Sequence, residues 1–170
     1  MSQAVIDHRG AARASLNLAV VTVSDTRTEE TDTSGAMIVA LAEAAGHRIL
    51  ARQIIRDEPA EMVALFRVLC ARDDVDAILL TGGTGISPRD QTYETVSALL
   101  TKRLPGFGEL FRMLSYAEIG SACLLSRSVG GLIGGTVILV MPGSRAAVEL
   151  AMRKIIVPEL PHIVREANKT

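Results

Sequence analysis

The sequence holds no tryptophan, two tyrosines and three phenylalanines in 170 residues. So few aromatics argue against a platform on which nucleic-acid bases would stack. Tyr93 and Tyr116 read as structural or peripheral. Cysteine is rarer still: Cys70 and Cys123 are too few for a metal cluster, and two isolated cysteines are more often buried or free thiols than a pair. Cys70 has apolar neighbours and reads as core. Cys123 has no paired base to suggest thiol chemistry. His8, His47 and His162 are too dispersed for a zinc site. Neither sign of charge dominates, with 18 basic and 19 acidic residues and a net charge of −1. Nothing in that balance demands DNA, RNA or a membrane surface as a partner. No run reaches transmembrane length, and the amino end lacks the apolar core of a signal peptide. The expectation is a cytoplasmic protein with neither nucleic acid nor membrane as a partner.

What the sequence has is material for a core: 48% of it is apolar, enough in a chain of this length for one domain. Residues 1–15 show no period and read as a flexible tail. Residues 16–170 read as a single domain.

The chain is organised around Asp76–Asp90, DAILLTGGTGISPRD. Ala77–Leu80 is a short apolar run that reads as a buried strand breaking into a tight loop. Gly82, Gly83 and Gly85 permit backbone that a Cβ forbids, and Thr81 and Thr84 add hydroxyls beside the amides. Successive N–H groups in such a turn can form a nest for an anion. Arg89 adds a positive fork. Asp90 stands where a helix over Gln91–Leu100 should begin and reads as its N-cap. The loop lacks the Gly-Lys-Ser/Thr of a Walker A motif, and Pro88 occupies the third glycine position of a dinucleotide fingerprint. A turn whose glycines serve geometry alone stays open.

Along the chain, Leu16–Ser24 reads as a central strand. Asp25–Thr33 is polar and acidic and reads as a solvent-facing loop. A helix follows over Gly35–Ala45, with Thr33 or Ser34 as its cap and Gly46 as its stop. Arg48–Arg56 is a more exposed strand, and Pro59 opens a helix through Cys70. Past the central loop, Pro105 and Gly106 break the chain before a short amphipathic segment, Gly108–Leu114, where Arg112 reads as a packing or subunit-contact residue. Leu124–Val129, followed by the glycines at 130, 131, 134 and 135, suggests a strand pair or a turn with close packing. Thr136–Met141 is a strong buried strand, and Ser144 caps a helix to about Ile156. Pro158 interrupts that helix, and a last one follows over Glu159–Ala167. Alternating strands and helices predict an α/β fold, a three-layer sandwich with a mostly parallel central sheet and a small glycine-rich hairpin.

Such sheets bind ligands at the carboxyl ends of their strands. Thr22, Ser24 and Asp25 follow the first strand, Asp57 the second and Asp90 the third, so three remote stretches converge on one cleft. Ordinary strand-end hydrogen bonding or capping would also account for these residues. Pro142, Gly143 and Ser144 repeat the strand-to-helix form, with unpaired helix amides behind them and Arg145 as a phosphate contact.

TGGTGISPRD at Thr81–Asp90 closely resembles the signature of the molybdopterin-binding domain family. FGELFRMLSYAEIG at Phe107–Gly120, MPGSRAA at Met141–Ala147 and TDTSG at Thr31–Gly35 resemble further family segments in the expected order. The likeness spans Asn17–Ala167. Its wording is nearest the branch of molybdenum cofactor biosynthesis B proteins, with the molybdopterin adenylyltransferases as close relatives. The resemblance implies Mg-ATP-dependent adenylyl transfer to molybdopterin, giving adenylyl-molybdopterin and pyrophosphate. It implies Asp57 and Asp90 as catalytic magnesium ligands with Arg89 beside them. It implies Thr22, Ser24, Asp25, Ser34, Gly35, Thr81, Gly82, Gly83, Thr84, Gly85, Pro142, Gly143 and Ser144 as ligand contacts. The alternatives are a pterin- or nucleotide-binding assembly protein with little activity and, more weakly, a scaffold domain. The resemblance also implies a molybdenum-insertion protein as partner and a homo-oligomer, a trimer or a hexamer of paired trimers. Phe107, Phe111 and Leu114 are its apolar contact candidates.

Overall fold

The computed structural model describes residues 13 and 15–169. The expected tail lies outside the described residues except for Arg13, whose guanidinium reaches Asp76 at 2.7 Å, and Ser15, whose hydroxyl donates to the Gly46 carbonyl.

The elements run β1 (Asn17–Val23), α1 (Thr33–Ala44), β2 (Arg48–Ile55), α2 (Pro59–Cys70), β3 (Ala77–Thr81), α3 (Thr92–Leu99), β4 (Lys102–Arg103), α4 (Pro105–Ile119), β5 (Val129–Ile133), β6 (Thr136–Met141), α5 (Arg145–Ala151) and α6 (Val157–Ala167). They build a six-stranded sheet in the order β2-β1-β3-β6-β5-β4. The first four strands are parallel, and the β5–β6 hairpin and β4 extend them antiparallel.

Strands buried on both faces read as near-continuous apolar runs, and β1, β3 and β6 do, with threonines only near their ends and Asn17 opening β1. Leu18, Val20, Leu79 and Leu139 face one side and pack with Ile38 of α1, Phe111 of α4 and Val148 of α5. Ala19, Val21, Ile78, Leu80 and Val140 face the other side and pack with Met62 and Phe66 of α2 and Val96 of α3. The result is the expected three-layer α/β arrangement. Register then fixes the business end. Thr22 of β1, Thr81 of β3 and Met141 of β6 are neighbours across the sheet, so the three strands finish level.

Several local expectations are corrected. Asp32, not Thr33 or Ser34, caps α1 by accepting the Gly35 N–H at 2.8 Å. Asp32 is also 2% exposed, so the acidic loop is not uniformly solvent-facing. Pro105 and Gly106 begin a helix instead of breaking one: Pro105 sits in the first turn, where its missing N–H costs nothing. Pro158 does not interrupt the C-terminal helix. A π-helical turn over Met152–Ile156 joins α5 to α6 and carries the chain through it. β4 is a two-residue strand that the sequence reading missed. Phe107 and Phe111, expected at a subunit contact, are buried in the core at 3% and 1% exposure. Among the described residues no helix is long and apolar enough to cross a membrane.

Candidate functional site

The level strand ends open onto a cleft of about 310 Å³ at the carboxyl edge of the sheet. Its walls include Thr22, Ser24, Asp25, Ser34, Asp57, Thr81, Gly82, Gly83, Arg89, Asp90 and Gly143. Thr84, Gly85, Pro142 and Ser144 instead line a second, more apolar cavity of about 360 Å³, with Phe111, Ser115 and Cys123. Gly143 borders both cavities, so the expected ligand contacts divide between two adjoining spaces. Gly35 lines neither; its N–H is spent on Asp32.

Asp57 is 5% exposed. Its Oδ1 accepts the Gln91 N–H at 3.1 Å, and its own N–H donates to Asp25 Oδ1 at 3.2 Å. Burial pushes its carboxyl above the ordinary range, and the neighbouring charges of Asp90 and Asp25 add to the effect. Asp90 is not the N-cap of α3. Its Oδ2 accepts the Ser87 N–H at 3.1 Å, and Gln91 takes the cap position with no side-chain cap bond. The distant Asp57 instead holds the N–H of Gln91 itself.

Arg89 organises the mouth of the cleft. Its Nε and Nη2 bind both oxygens of Asp25 at 2.7 and 2.9 Å, and its Nη1 binds Glu58 at 2.7 Å. That clasp raises the Arg89 pKa and holds the Asp25 carboxyl below its usual range. The guanidinium therefore ties together the loops after β1, β2 and β3.

The glycine loop fits around this cluster. Gly83 has φ +62°, and a Cβ there would overlap Thr92 Oγ1 and Asp57 Oδ2. Gly82 has φ +99° and lies against the Val23 carbonyl. The N–H groups of Gly83, Thr84, Gly85 and Ile86 meet no acceptor among the described residues. Thr92 Oγ1 is buried without a hydrogen-bond partner. An orphaned hydroxyl, the Oδ2 of Asp57 and the carboxylate of Asp90 are hard oxygen donors, the kind that magnesium takes. Among the described residues no group of three or more His, Cys, Asp or Glu could hold a metal. Two carboxylates suit magnesium all the same, because this ion keeps waters and uses substrate phosphates for its remaining positions. The residues therefore fit the ion.

The expected hydroxyls turn out to be engaged. Thr22 Oγ1 donates to Asp32 at 2.9 Å. Thr81 Oγ1 and Ser34 Oγ each donate at 2.9 Å to the loop after β6, at the Pro142 and Gly143 carbonyls. Ser24 Oγ accepts from the N–H groups of Thr26 and Arg27. Ser144 caps α5 as expected, accepting from Ala147 N at 3.3 Å. These bonds shape the walls of the cleft more than they face its interior.

Two residues escaped the sequence reading. Asp32 gathers Thr22, the Gly35 N–H and Arg52 Nη2, the last at 3.0 Å. A carboxylate just before a helix was the available signal. Arg127, before β5, binds the carbonyl oxygens of Thr84, Gly85 and Asp90 and pairs with Glu94. A lone arginine between an apolar run and a glycine pair was its only trace.

A family model described as "Probable molybdopterin binding domain" matches residues 19–162. The sequence is 50% identical over 166 residues to the molybdenum cofactor biosynthesis protein B of Halalkalibacterium halodurans, covering 97% of this chain and 98% of that protein. A crystal structure of a molybdenum cofactor biosynthesis protein B superposes with a TM-score of 0.89 at 49% identity, covering 92% of this chain and 98% of that one. The tungsten cofactor synthesizing protein MoaB from Pyrococcus furiosus superposes with a TM-score of 0.81 at 35% identity, covering 92% and 99%.

Proposed function

The chain belongs to the molybdopterin-binding domain family, and from that premise we propose that it acts in molybdenum or tungsten cofactor biosynthesis by transferring the adenylyl group of ATP to molybdopterin. In this reaction a terminal phosphate oxygen of molybdopterin attacks the α-phosphorus of ATP. The new P–O bond forms as the bond to the bridging β-phosphate oxygen breaks, and pyrophosphate leaves with that electron pair. The single observation that carries the reading is the meeting of Asp57 and Asp90 beside a glycine loop whose amides lack protein acceptors.

The chain's own residues bind and align. The free amides at Gly83–Ile86 receive phosphate oxygens, and the rigid turn costs little reorganisation as charge moves. The second cavity, apolar and adjoining through Gly143, receives the ring system of the other substrate. Asp57 and Asp90 would hold magnesium, which when bound offsets phosphate charge that two carboxylates would otherwise repel. Ser34 and Thr81 keep the Gly143 loop against the cleft.

A second reading has its own observation. Arg89 is already clasped by Asp25 and Glu58, so it offers less to a transition-state oxyanion than a free guanidinium would. That favours a pterin- or nucleotide-binding assembly protein with little turnover, handing its ligand to a molybdenum-insertion protein. Purified protein with ATP, magnesium and molybdopterin separates the two. Adenylyl-molybdopterin and pyrophosphate in equal amounts are expected. Tight pterin binding with neither product would replace the transferase reading by the assembly one.

The protein also acts as a homo-oligomer in this proposal. Leu110, Met113, Tyr116 and Ile119 of α4, with Leu124 and Leu125 after it, leave large apolar side chains exposed within one stretch of the chain. Exposed apolar side chains in such number suit contact with a second copy of the chain.

A further inference from the structure

Arg127 lines neither cavity. Its guanidinium lies behind the glycine loop and donates from Nε to the Thr84 carbonyl at 3.1 Å. Its Nη2 donates to the Gly85 carbonyl and, at 3.4 Å, to that of Asp90. Two residues of α3 hold the fork in place: Glu94 pairs with Nη1, and the Tyr93 ring lies with its centroid 5.1 Å from the guanidinium carbon.

A trans peptide places its carbonyl and its N–H on opposite sides, and the described backbone has no cis bond. Holding the Thr84 and Gly85 oxygens behind the loop therefore turns the N–H groups of Gly85 and Ile86 the other way. Those N–H groups meet no acceptor among the described residues. The Asp90–Gln91 peptide follows the same rule and shows where its far side leads. Its oxygen is on Arg127, and its N–H is on Asp57 Oδ1 at 3.1 Å. One guanidinium thus orients three peptides of a single loop.

We propose that Arg127 is the positioning residue of this loop, presetting the Gly85 and Ile86 amides for a phosphate group of the bound substrate. The inference rests on the reading of the glycine loop, whose Gly83 lines the cleft and whose Gly85 lines the adjoining cavity, as a phosphate site. The planar fork matters as much as the charge, because a lysine ammonium on one nitrogen cannot span the same set of carbonyls.

The test compares wild type, Arg127→Lys and Arg127→Ala. Hydrogen exchange without ligand reads the loop directly, and calorimetry with Mg-ATP reads the preset amides. Exchange at the hydrogen-bonded loop amides of Ser87, Asp90 and Gln91 is expected to quicken about tenfold in both variants, while β1, β3 and β6 keep wild-type rates. Mg-ATP affinity is expected to fall about tenfold in both. Unchanged exchange in the loop would overturn the proposal. So would loosening spread through β3 and β6, which would make Arg127 a general support, or full affinity in Arg127→Lys, which would reduce its role to charge. Should the alanine variant not fold, the lysine variant carries the comparison. A wild type that binds Mg-ATP but forms no adenylyl product would end the transferase reading and leave the exchange and affinity comparison intact.

Discussion

Asp57 accepts the backbone N–H of Gln91 at 3.1 Å across 34 positions of sequence. A carboxylate just past the end of β2 therefore holds the backbone of Gln91, the residue between Asp90 and the start of α3. The same side chain that we assign to magnesium also joins the second and third strand loops. Structure and proposed chemistry can be separated there, because asparagine accepts the same hydrogen bond without carrying charge.

Asp57→Asn and Asp90→Asn are each expected to lower Mg-dependent adenylyl transfer by roughly a hundredfold, the effect of about 3 kcal/mol on the barrier. Neither should cost more than about 1 kcal/mol of stability, since the turn and helix bonds survive in the amide. Initial rates and urea unfolding on the same preparations check this. Full rates in both variants would remove the two carboxylates from the reaction.

The carboxylates should titrate apart in magnesium-free protein. Burial raises Asp57 above its ordinary value of 3.8, whereas the Arg89 clasp lowers Asp25 below 3.8. A raised acid favours the folded state below its unfolded pKa, and that contribution is lost as pH rises through the folded value. Asp25 works in the opposite sense, adding stability above its unfolded pKa and losing it as pH falls through its folded value. Carbon-13 NMR of the side-chain carboxyls should show this order. Asp90→Asn should bring the Asp57 pKa down, and Arg89→Met should bring it up, because Asp90 raises it and Arg89 lowers it. An Asp57 midpoint below 3.8 would defeat the burial argument.

Gly83→Val should abolish measurable Mg-ATP or pterin-phosphate binding. Its φ of +62° costs an L-residue about 1–2 kcal/mol, and its Cβ would displace Thr92 or Asp57. Calorimetry on protein with a native circular dichroism spectrum is the measurement. Wild-type affinity there would count against the anion nest.

Tyr116→Glu, at a side chain 63% exposed on α4, should shift the protein to a smaller species while leaving thermal stability of the fold within a few degrees. Light scattering over a range of concentrations decides it. A monomeric wild type would end the oligomer proposal, and an unchanged assembly in the variant would move the contact off this face.

The sheet was legible because its strands announce themselves. LNLAVVTVS, AILL and TVILVM are short apolar runs with turn residues after them, and their ends predicted a shared cleft containing Asp57 and Asp90. What was hidden is long-range pairing. Nothing local says that Asp57 takes the Gln91 N–H, that Asp32 is buried against Arg52, or that Arg127 reaches the Thr84 carbonyl across 43 positions. Local grammar misled at Pro105 and Pro158, because a proline breaks a helix only where its N–H or ring space is needed. Pro105 lies in the first turn of α4, and Pro158 lies in the first turn of α6, directly after the π-helical turn. Phe107 and Phe111 read as contact residues from their motif, but the sheet face beneath α4 claims them first.

The two-residue strand β4 also governs how this sheet meets others. It ends the sheet with Lys102 and Arg103, both exposed, while the opposite edge, β2, exposes Arg48. Two sheets approaching edge to edge would bring like charges together, and β4 offers a template too short to nucleate strand addition. The fold thereby resists runaway β-aggregation at both margins, leaving its helical surfaces for orderly association.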